Sequence, residues 1–318
     1  MPCYTPLVGV DVGVRAETGR IAIQILKHAK WKNSHRLNKR IIPLPCGKCI
    51  GCRLERSRQW ALRCVNEASL YENNMFITLT FNDEHVDKTG SLVKEDFQKF
   101  MKRLRKSYRG DQVVKNEKGE DTYPIRYFHC GEYGEKLERP HHHACIFNFE
   151  FKDKVLWDTR NGVRLFRSKC LERLWSYGYS TIGEVTFDSA AYVARYITKK
   201  INGLRSDAHY GGRLPEYTTM SRRPGIGKDW FNKFGTDVYD KDEIAVRRGG
   251  RIYVGKPPKY YDKLLERSDP GKYELIKERR VVEAKENPNN TVERLQCRHE
   301  IKLRQTKRLK RRYESNEA

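Results

Sequence analysis

Apolar residues along this chain change period several times, and each change predicts an element. In FITLTF (76–81), Ile77, Leu79 and Phe81 alternate with Thr78 and Thr80, which is a strand buried on one face. KEDFQKFMKRLRKSY (94–108) carries Phe97, Phe100, Met101 and Leu104 on one helical stripe. Two apolar runs follow, IRYFHCGEYG (125–134) and HHHACIFNFEF (141–151), and the short loop between them predicts an antiparallel hairpin. A helix is expected through Leu171 and Leu174, stopping near Gly178, and then a strand, YSTIGEVTF (179–187). AAYVARYITKK reads as a compact helix capped by Asp188 or Ser189 and ended by Asn202 and Gly203.

The order strand, helix, two strands, helix, strand, helix suits an α+β fold, a central antiparallel sheet with helices packed on it. Ahead of it, GVDVGV and RIAIQIL are short β-like runs, and a helix is expected through Leu54, Trp60, Leu62, Val65 and Leu70. Beyond residue 204 the pattern weakens. TTMSRRPGIGKDW is a basic, glycine-rich loop, and IAVRRGGRIYV predicts a hairpin turning at Gly249 and Gly250. The resulting division is 1–70, an N-terminal cysteine-containing region; 71–203, the core; 204–270, a loop and hairpin extension; and 271–318, a basic helical or disordered tail.

Charge narrows the function. A formal net charge of +23 on 318 residues attracts polyanions and makes nucleic acid the expected partner. The 12 Phe, 18 Tyr and 5 Trp argue against a disordered chain. No apolar stretch is long enough for a membrane span, and the N-terminus lacks a secretory layout. The nine cysteines therefore read as thiols or metal ligands rather than a disulfide framework.

RPHHHACIF (139–147) sets three histidines on an expected strand. His141 and His143 share a face and His142 points away. If residues 133–140 close the hairpin, Glu132 lies opposite His141 and can join the pair, whereas His129 cannot; Glu135 and Glu138 fall in the loop. Two imidazoles and one carboxylate leave open positions for water or substrate, the pattern of a working metal site.

Tyr192 and Tyr196 lie one turn apart on the AAYVARYITKK helix, with Lys199 on the same face and Lys200 four residues beyond Tyr196. Two aromatics at that spacing are most often core packing, but lysine is an odd neighbour for an apolar stripe. It suits a phenol that must ionise, since a free tyrosine is only about 0.3% phenolate at pH 7.5. Cys46, Cys49 and Cys52 follow C-x₂-C-x₂-C. Tetrahedral zinc needs a fourth ligand, for which Cys3 in MPCYTP is the first choice and Cys64 the second. Reduced thiols in a basic loop are the alternative.

FITLTF, RPHHHACIF and YVARYITKK, in that order, resemble the three motifs of HUH-type rolling-circle replication initiators, two-tyrosine branch. PCGKCIGCRLERSRQWALR, YFHCGEYGE and MSRRPGIGKDWF extend the resemblance to the replication-associated proteins of microviruses, gokushovirus group, over residues 1 to about 260. His142 departs from the pattern, which usually has a larger apolar or aromatic side chain there.

The resemblance implies an HUH endonuclease fold with the tyrosine helix beneath the histidine strand. It implies Mg²⁺ or Mn²⁺ on His141, His143 and Glu132, and origin nicking by Tyr192 or Tyr196 through a 5′-phosphotyrosine, followed by strand transfer and circularisation. Lys199 would stabilise the phenolate or leaving oxygen. Lys200, Arg195, Arg222, Arg223 and Lys228 are candidates for DNA contact. Single-stranded and replicative-form viral DNA, a host polymerase and, since no GxxxxGK[ST] loop is present, a host helicase are the implied partners, in a bacterial cytoplasm. An HUH relaxase or transposase, or a non-catalytic zinc-containing nucleic-acid-binding protein, are the rival readings.

Overall fold

The structure is a computed structural model that describes residues 3–14, 21–26, 41–108, 114–115, 121–122, 125–134, 137–160, 162–199 and 205–307. The chain opens with β1 (Leu7–Val14), β2 (Ile21–Leu26), β3 (Ile41–Leu44), α1 (Ile50–Ala68), β4 (Asn74–Phe81) and α2 (Lys94–Ser107). Next come β5 (Val114–Lys115), β6 (Asp121–Thr122), β7 (Arg126–Tyr133), β8 (Pro140–Phe147), β9 (Val155–Arg160), β10 (Val163–Arg167), α3 (Lys169–Leu174), β11 (Gly178–Gly183) and α4 (Phe187–Lys199). The remainder is α5 (Arg205–Tyr210), β12 (Tyr217–Met220), α6 (Lys228–Lys241), β13 (Ile244–Arg248), β14 (Arg251–Gly255), α7 (Lys259–Ser268), α8 (Pro270–Glu286) and α9 (Val292–Lys307).

Two compact units emerge. The described residues within 1–56 and 270–307 form one, and those within 57–269 form the other. The first holds an antiparallel sheet in the order β2-β1-β3, together with α8 and α9. Within it Tyr4 stacks on His299 with ring centroids 5.4 Å apart. Among the described residues, no helix is long and apolar enough to cross a membrane.

The larger unit is built on a seven-stranded antiparallel sheet in the order β12-β7-β8-β4-β11-β10-β9. Its central strands are covered on both faces. On one, Ile77, Leu79, Ala144, Ile146 and Ile182 meet Phe97, Phe100, Met101 and Leu104 of α2 and Leu171 and Trp175 at α3. On the other, Phe76, Phe128, Cys130, Cys145 and Phe147 meet Ala190, Tyr192 and Val193 of α4 and Ala61 and Cys64 of α1. Strand alternation thus feeds two apolar layers at once, which is why β8 is buried along its whole length.

Several expectations need correction. The strand beginning at the histidines stops at Phe147, because Asn148 adopts a left-handed φ of 60°. The next strand stops at Gly183 rather than running to residue 187. Helix α4 is capped at Thr186, ahead of Asp188 and Ser189. Thr186 Oγ1 accepts from the Ser189 N–H at 3.1 Å, and Ser189 Oγ accepts from the Thr186 N–H at 2.8 Å, a reciprocal box. A hairpin unforeseen in the sequence, β9–β10, adds the last two strands at one edge of the sheet. The expected helix end at Asn202 and Gly203 lies outside the described residues.

A buried ion pair ties the basic glycine-rich loop to the sheet. Glu67 of α1 is fully buried, bonds Arg126 of β7, and accepts the Gly227 N–H at 2.6 Å. Arg126 also donates to the Pro224 carbonyl at 2.8 Å. Arg222 and Arg223 beside this anchor stay exposed, as does Lys228 at the start of α6.

Candidate functional site

The hairpin register places Glu132 opposite His141 and Cys130 opposite His143. On the other edge of β8, Thr78 lies opposite His143 and Thr80 opposite His141. His141, His143, Glu132 and Thr78 therefore project from one sheet face, all nine-tenths or more buried. Glu132 Oε1 lies 2.7 Å from His143 Nε2. Nδ1 of His143 is 3.0 Å from Thr78 Oγ1. His141 Nδ1 donates to the Arg139 carbonyl at 2.6 Å, which puts that ring's lone pair on Nε2. The two imidazoles stack with centroids 6.3 Å apart.

This donor set fits a divalent ion by chemistry: two imidazoles and a carboxylate, with each ring oriented through Nδ1 by an outer oxygen. Thr78 can donate or accept, so it serves His143 whether Nε2 carries a proton or a metal. The three donors are not drawn to a common point, since Glu132 is bonded directly to His143. An ion shared by both would take the place of that bond. Of the loop carboxylates, Glu138 is bonded to Arg213 at 2.7 Å, and Glu135 lies outside the described residues.

Helix α4 brings the phenol. Tyr192 is 3% exposed, and its ring stands edge-on to His143 with centroids 5.1 Å apart. Phe76 closes the group, stacked on His143 at 5.8 Å and edge-on to Tyr192 at 6.4 Å. The Arg195 guanidinium lies 5.8 Å from the Tyr192 ring centroid. Sequence reasoning placed Arg195 among DNA contacts and gave Thr78 no role; the i, i+3 spacing from Tyr192 and the Thr78/Thr80 alternation were the available signals. Tyr196 and Lys199 continue α4, with only their backbone among the described features, and Lys200 lies outside the described residues.

His142 faces the opposite layer. Its Nδ1 is 3.1 Å from His129 Nε2, and His129 Nδ1 is 2.9 Å from Thr219 Oγ1. Phe97 stacks on His129 at 3.6 Å, and Trp175 and Phe81 meet His142 edge-on. Both rings are fully buried. Burial, reinforced by neighbouring imidazoles, pushes His142 down to about 3 and His129 well below its ordinary value. The middle of the tract is thus a core residue whose Nδ1 is met by another histidine, while its buried Nε2 has no hydrogen-bond partner among the described residues.

Cys3, Cys46, Cys49 and Cys52 come together in the smaller unit, their sulfurs all within 4.8 Å of one another. Cys49 and Cys3 sulfurs are 3.9 Å apart, Cys46 and Cys52 4.0 Å. A tetrahedron with Zn–S bonds of about 2.3 Å has S···S edges of about 3.8 Å. Backbone N–H groups of Cys46 and Cys49 donate to the sulfurs of Cys3 and Cys46 at 3.2 and 3.3 Å, and Thr5 Oγ1 lies 3.3 Å from Cys46. Burial raises the Cys46 thiol, but the bonds it accepts outweigh that and bring it to about 6. Among the described residues this is the one group of three or more His, Cys, Asp or Glu whose donor atoms already fit a single ion. Cys64, the second choice, is instead in the apolar layer under α4, and burial there pushes its thiol well up.

Residues 74–201 match the family described as replication-associated protein ORF2/G2P. The chain is 36% identical over 231 residues to the replication-associated protein VP4 of Bdellovibrio phage phiMH2K, covering 72% of this chain and 69% of that protein. It is 36% identical over 250 residues to the replication-associated protein ORF2 of Spiroplasma virus 4, covering 76% and 74%. Against the replication-associated protein ORF4 of Chlamydia phage 1 it is 30% identical over 238 residues, covering 73% and 55%. No solved structure matches the chain.

Proposed function

The chain belongs to the replication-associated ORF2/G2P proteins of microvirus-like phages, and from that premise we propose that it starts rolling-circle replication of a single-stranded DNA genome by nicking the origin strand. We assign it the HUH endonuclease fold, two-tyrosine branch. One juxtaposition carries the reading: the Tyr192 ring stands against His143, and His143 is bonded to Glu132. Two imidazoles and a carboxylate on one sheet face, with a phenol of α4 against them, form a reaction centre that mere DNA binding does not call for.

His141, His143 and Glu132 would hold Mg²⁺ or Mn²⁺. Such an ion, when bound, polarises the scissile phosphate and neutralises the charge that develops on it. Thr78 and the Arg139 carbonyl keep the rings turned toward the site. The phenolate oxygen of Tyr192 or Tyr196 attacks phosphorus, and the bond to the 3′ oxygen breaks. That oxygen takes up a proton and becomes the 3′-OH that a host polymerase extends, while the 5′ phosphate stays on tyrosine. Attack by a free 3′-OH reverses the step, reseals the strand and returns the phenol, so no nucleoside triphosphate is consumed. Arg195 and Lys199 supply cations for the phenolate and the leaving oxygen, with Lys200 in reserve. Arg222, Arg223 and Lys228 contact phosphates. The cysteine set is assigned to zinc. Strand separation falls to a host helicase, and the reaction runs in the bacterial cytoplasm on replicative-form and single-stranded DNA.

Purified protein, single-stranded origin DNA and Mn²⁺ should give an SDS-stable protein–DNA adduct. EDTA should prevent it, and Tyr192→Phe combined with Tyr196→Phe should abolish it. An undiminished adduct in the double variant would remove both residues from the mechanism.

A further inference from the structure

The hairpin β13–β14 is a two-stranded sheet of its own. Its register runs without a break from Ile244↔Gly255 to Arg248↔Arg251. Gly249 and Gly250, with φ of 55° and 76°, close it as a two-residue turn with both central residues left-handed. The base is anchored. Ile244 is buried, Lys256 bonds Asp242 at 3.0 Å, and Arg58 donates to the Lys256 carbonyl at 3.0 Å. Arg248 reaches Asp188, in the first turn of the tyrosine helix, at 2.7 Å. Beyond the base the ribbon stands in solvent: Ile252 is 66% exposed, Val254 58% and Tyr253 48%.

Its charge has one sign. From Ile244 to Tyr261 the sequence holds Arg247, Arg248, Arg251, Lys256 and Lys259 and no carboxylate. Arg248 and Arg251 stand directly opposite each other; Asp188 neutralises Arg248, which leaves the positive charge of Arg251 for an outside anion. Arg247 adds a third guanidinium at the same tip. On the face it occupies, Arg247 is followed by Ala245, Ile252 and Val254, so a cationic end continues into a bare apolar strip.

We infer that this ribbon is a duplex-DNA-binding arm, rooted beside the tyrosine helix and laid into a groove of the double helix next to the nick site. A two-stranded ribbon matches the width of the major groove, where Arg247 and Arg251 reach phosphates and Ile252 and Val254 meet base edges and methyl groups. Single-strand binding calls for successive aromatic platforms, and the ribbon has only Tyr253. The placement next to a nick rests on the nicking reading; the binding of duplex does not.

The test uses the full chain carrying Arg247→Ala and Arg251→Ala, a mixed-sequence 30-bp duplex, and the corresponding single strand, with affinity read by fluorescence anisotropy across a salt series. Duplex affinity should fall about tenfold or more, and the slope of log K against log salt should become shallower by about two, near 0.9 for each phosphate no longer neutralised. Single-strand affinity should stay within about twofold, as should duplex binding by a Lys102→Ala, Lys106→Ala control that removes the same charge from exposed α2 positions. An unchanged duplex slope, an equal loss on single strand, or an equal loss in the control would each overturn the assignment. So would a concentration-dependent dimer abolished by Ile252→Asp, which would make the strip a contact between copies. Failure of adduct formation in the wild type would remove the nicking reading and leave this result standing.

Discussion

Replacing Glu67 by leucine tests how the basic loop is held. The carboxylate is fully buried, with Arg126 on one oxygen and the Gly227 N–H on the other at 2.6 Å. Glu67→Leu leaves the Arg126 guanidinium, in a residue only 7% exposed, without its counter-charge, and Gly227 without its acceptor. Removing one partner of a buried ion pair costs about 3–5 kcal/mol. For a unit of this size each kcal/mol moves the midpoint by roughly 2–4 °C, so the melting temperature should fall by about 6–20 °C. Exchanging both residues, Glu67→Leu with Arg126→Met, removes the stranded charge and should recover most of the loss. Thermal unfolding followed by far-UV circular dichroism gives the midpoints, and trypsin cleavage after exposed Arg222 reports release of the loop. A single variant within about 2 °C of wild type, or a double variant less stable than the single, would refute the reasoning.

Further outcomes are expected. Cys49→Ser should lower bound zinc, measured by atomic emission on protein purified with its metal, from one ion per chain to a small fraction; unchanged zinc would exclude the cluster. His142→Leu should cost about 1–3 kcal/mol by stranding the buried Nε2 of His129, yet leave adduct formation largely intact, because His142 faces the opposite layer; loss of the adduct in a folded variant would contradict this. Since burial holds His129 well below the unfolded value near 6.5, the unfolded chain takes up a proton first as pH falls. Its contribution to stability is therefore complete above about pH 6.5 and declines below it by up to about 1.4 kcal/mol per unit. Urea titrations between pH 7 and 5 should show a shallower decline in His129→Phe, and parallel curves would contradict the assignment.

Much of this architecture could be read from the chain because local signals agreed with the fold. The alternation in FITLTF and the short loop after Tyr133 fix which residues of β4, β7 and β8 share a face, and the Glu132↔His141 pairing follows. The cysteine spacing and the proline-rich setting of Cys3 named four residues that the structure brings together. What escaped depended on partners distant in sequence. Nothing local in YTTM says that β12 will add to the free edge of β7, or that Thr219 will meet His129. The β9–β10 hairpin did carry a signal, the Asn161-Gly162 pair between alternating runs, but its exposed Val155, Leu156 and Trp157 did not resemble an edge strand. Asp188, Ser189 and Thr186 all carry a capping oxygen, and it is the reciprocal T-x-x-S bond that decides for Thr186.

Strand β8 is pinned along both edges, to β7 and to β4, from its first histidine onward. Loss of a single codon from the tract is consequently a graver injury than exchange of its middle letter. With Ala144 and everything after it held in place, dropping His142 would draw His141 into the inward position and Pro140 into the outward one, leaving a lone imidazole where two had stood. The histidine count would fall only from three to two, but the pair would be gone, whereas a missense change at the same codon spares it.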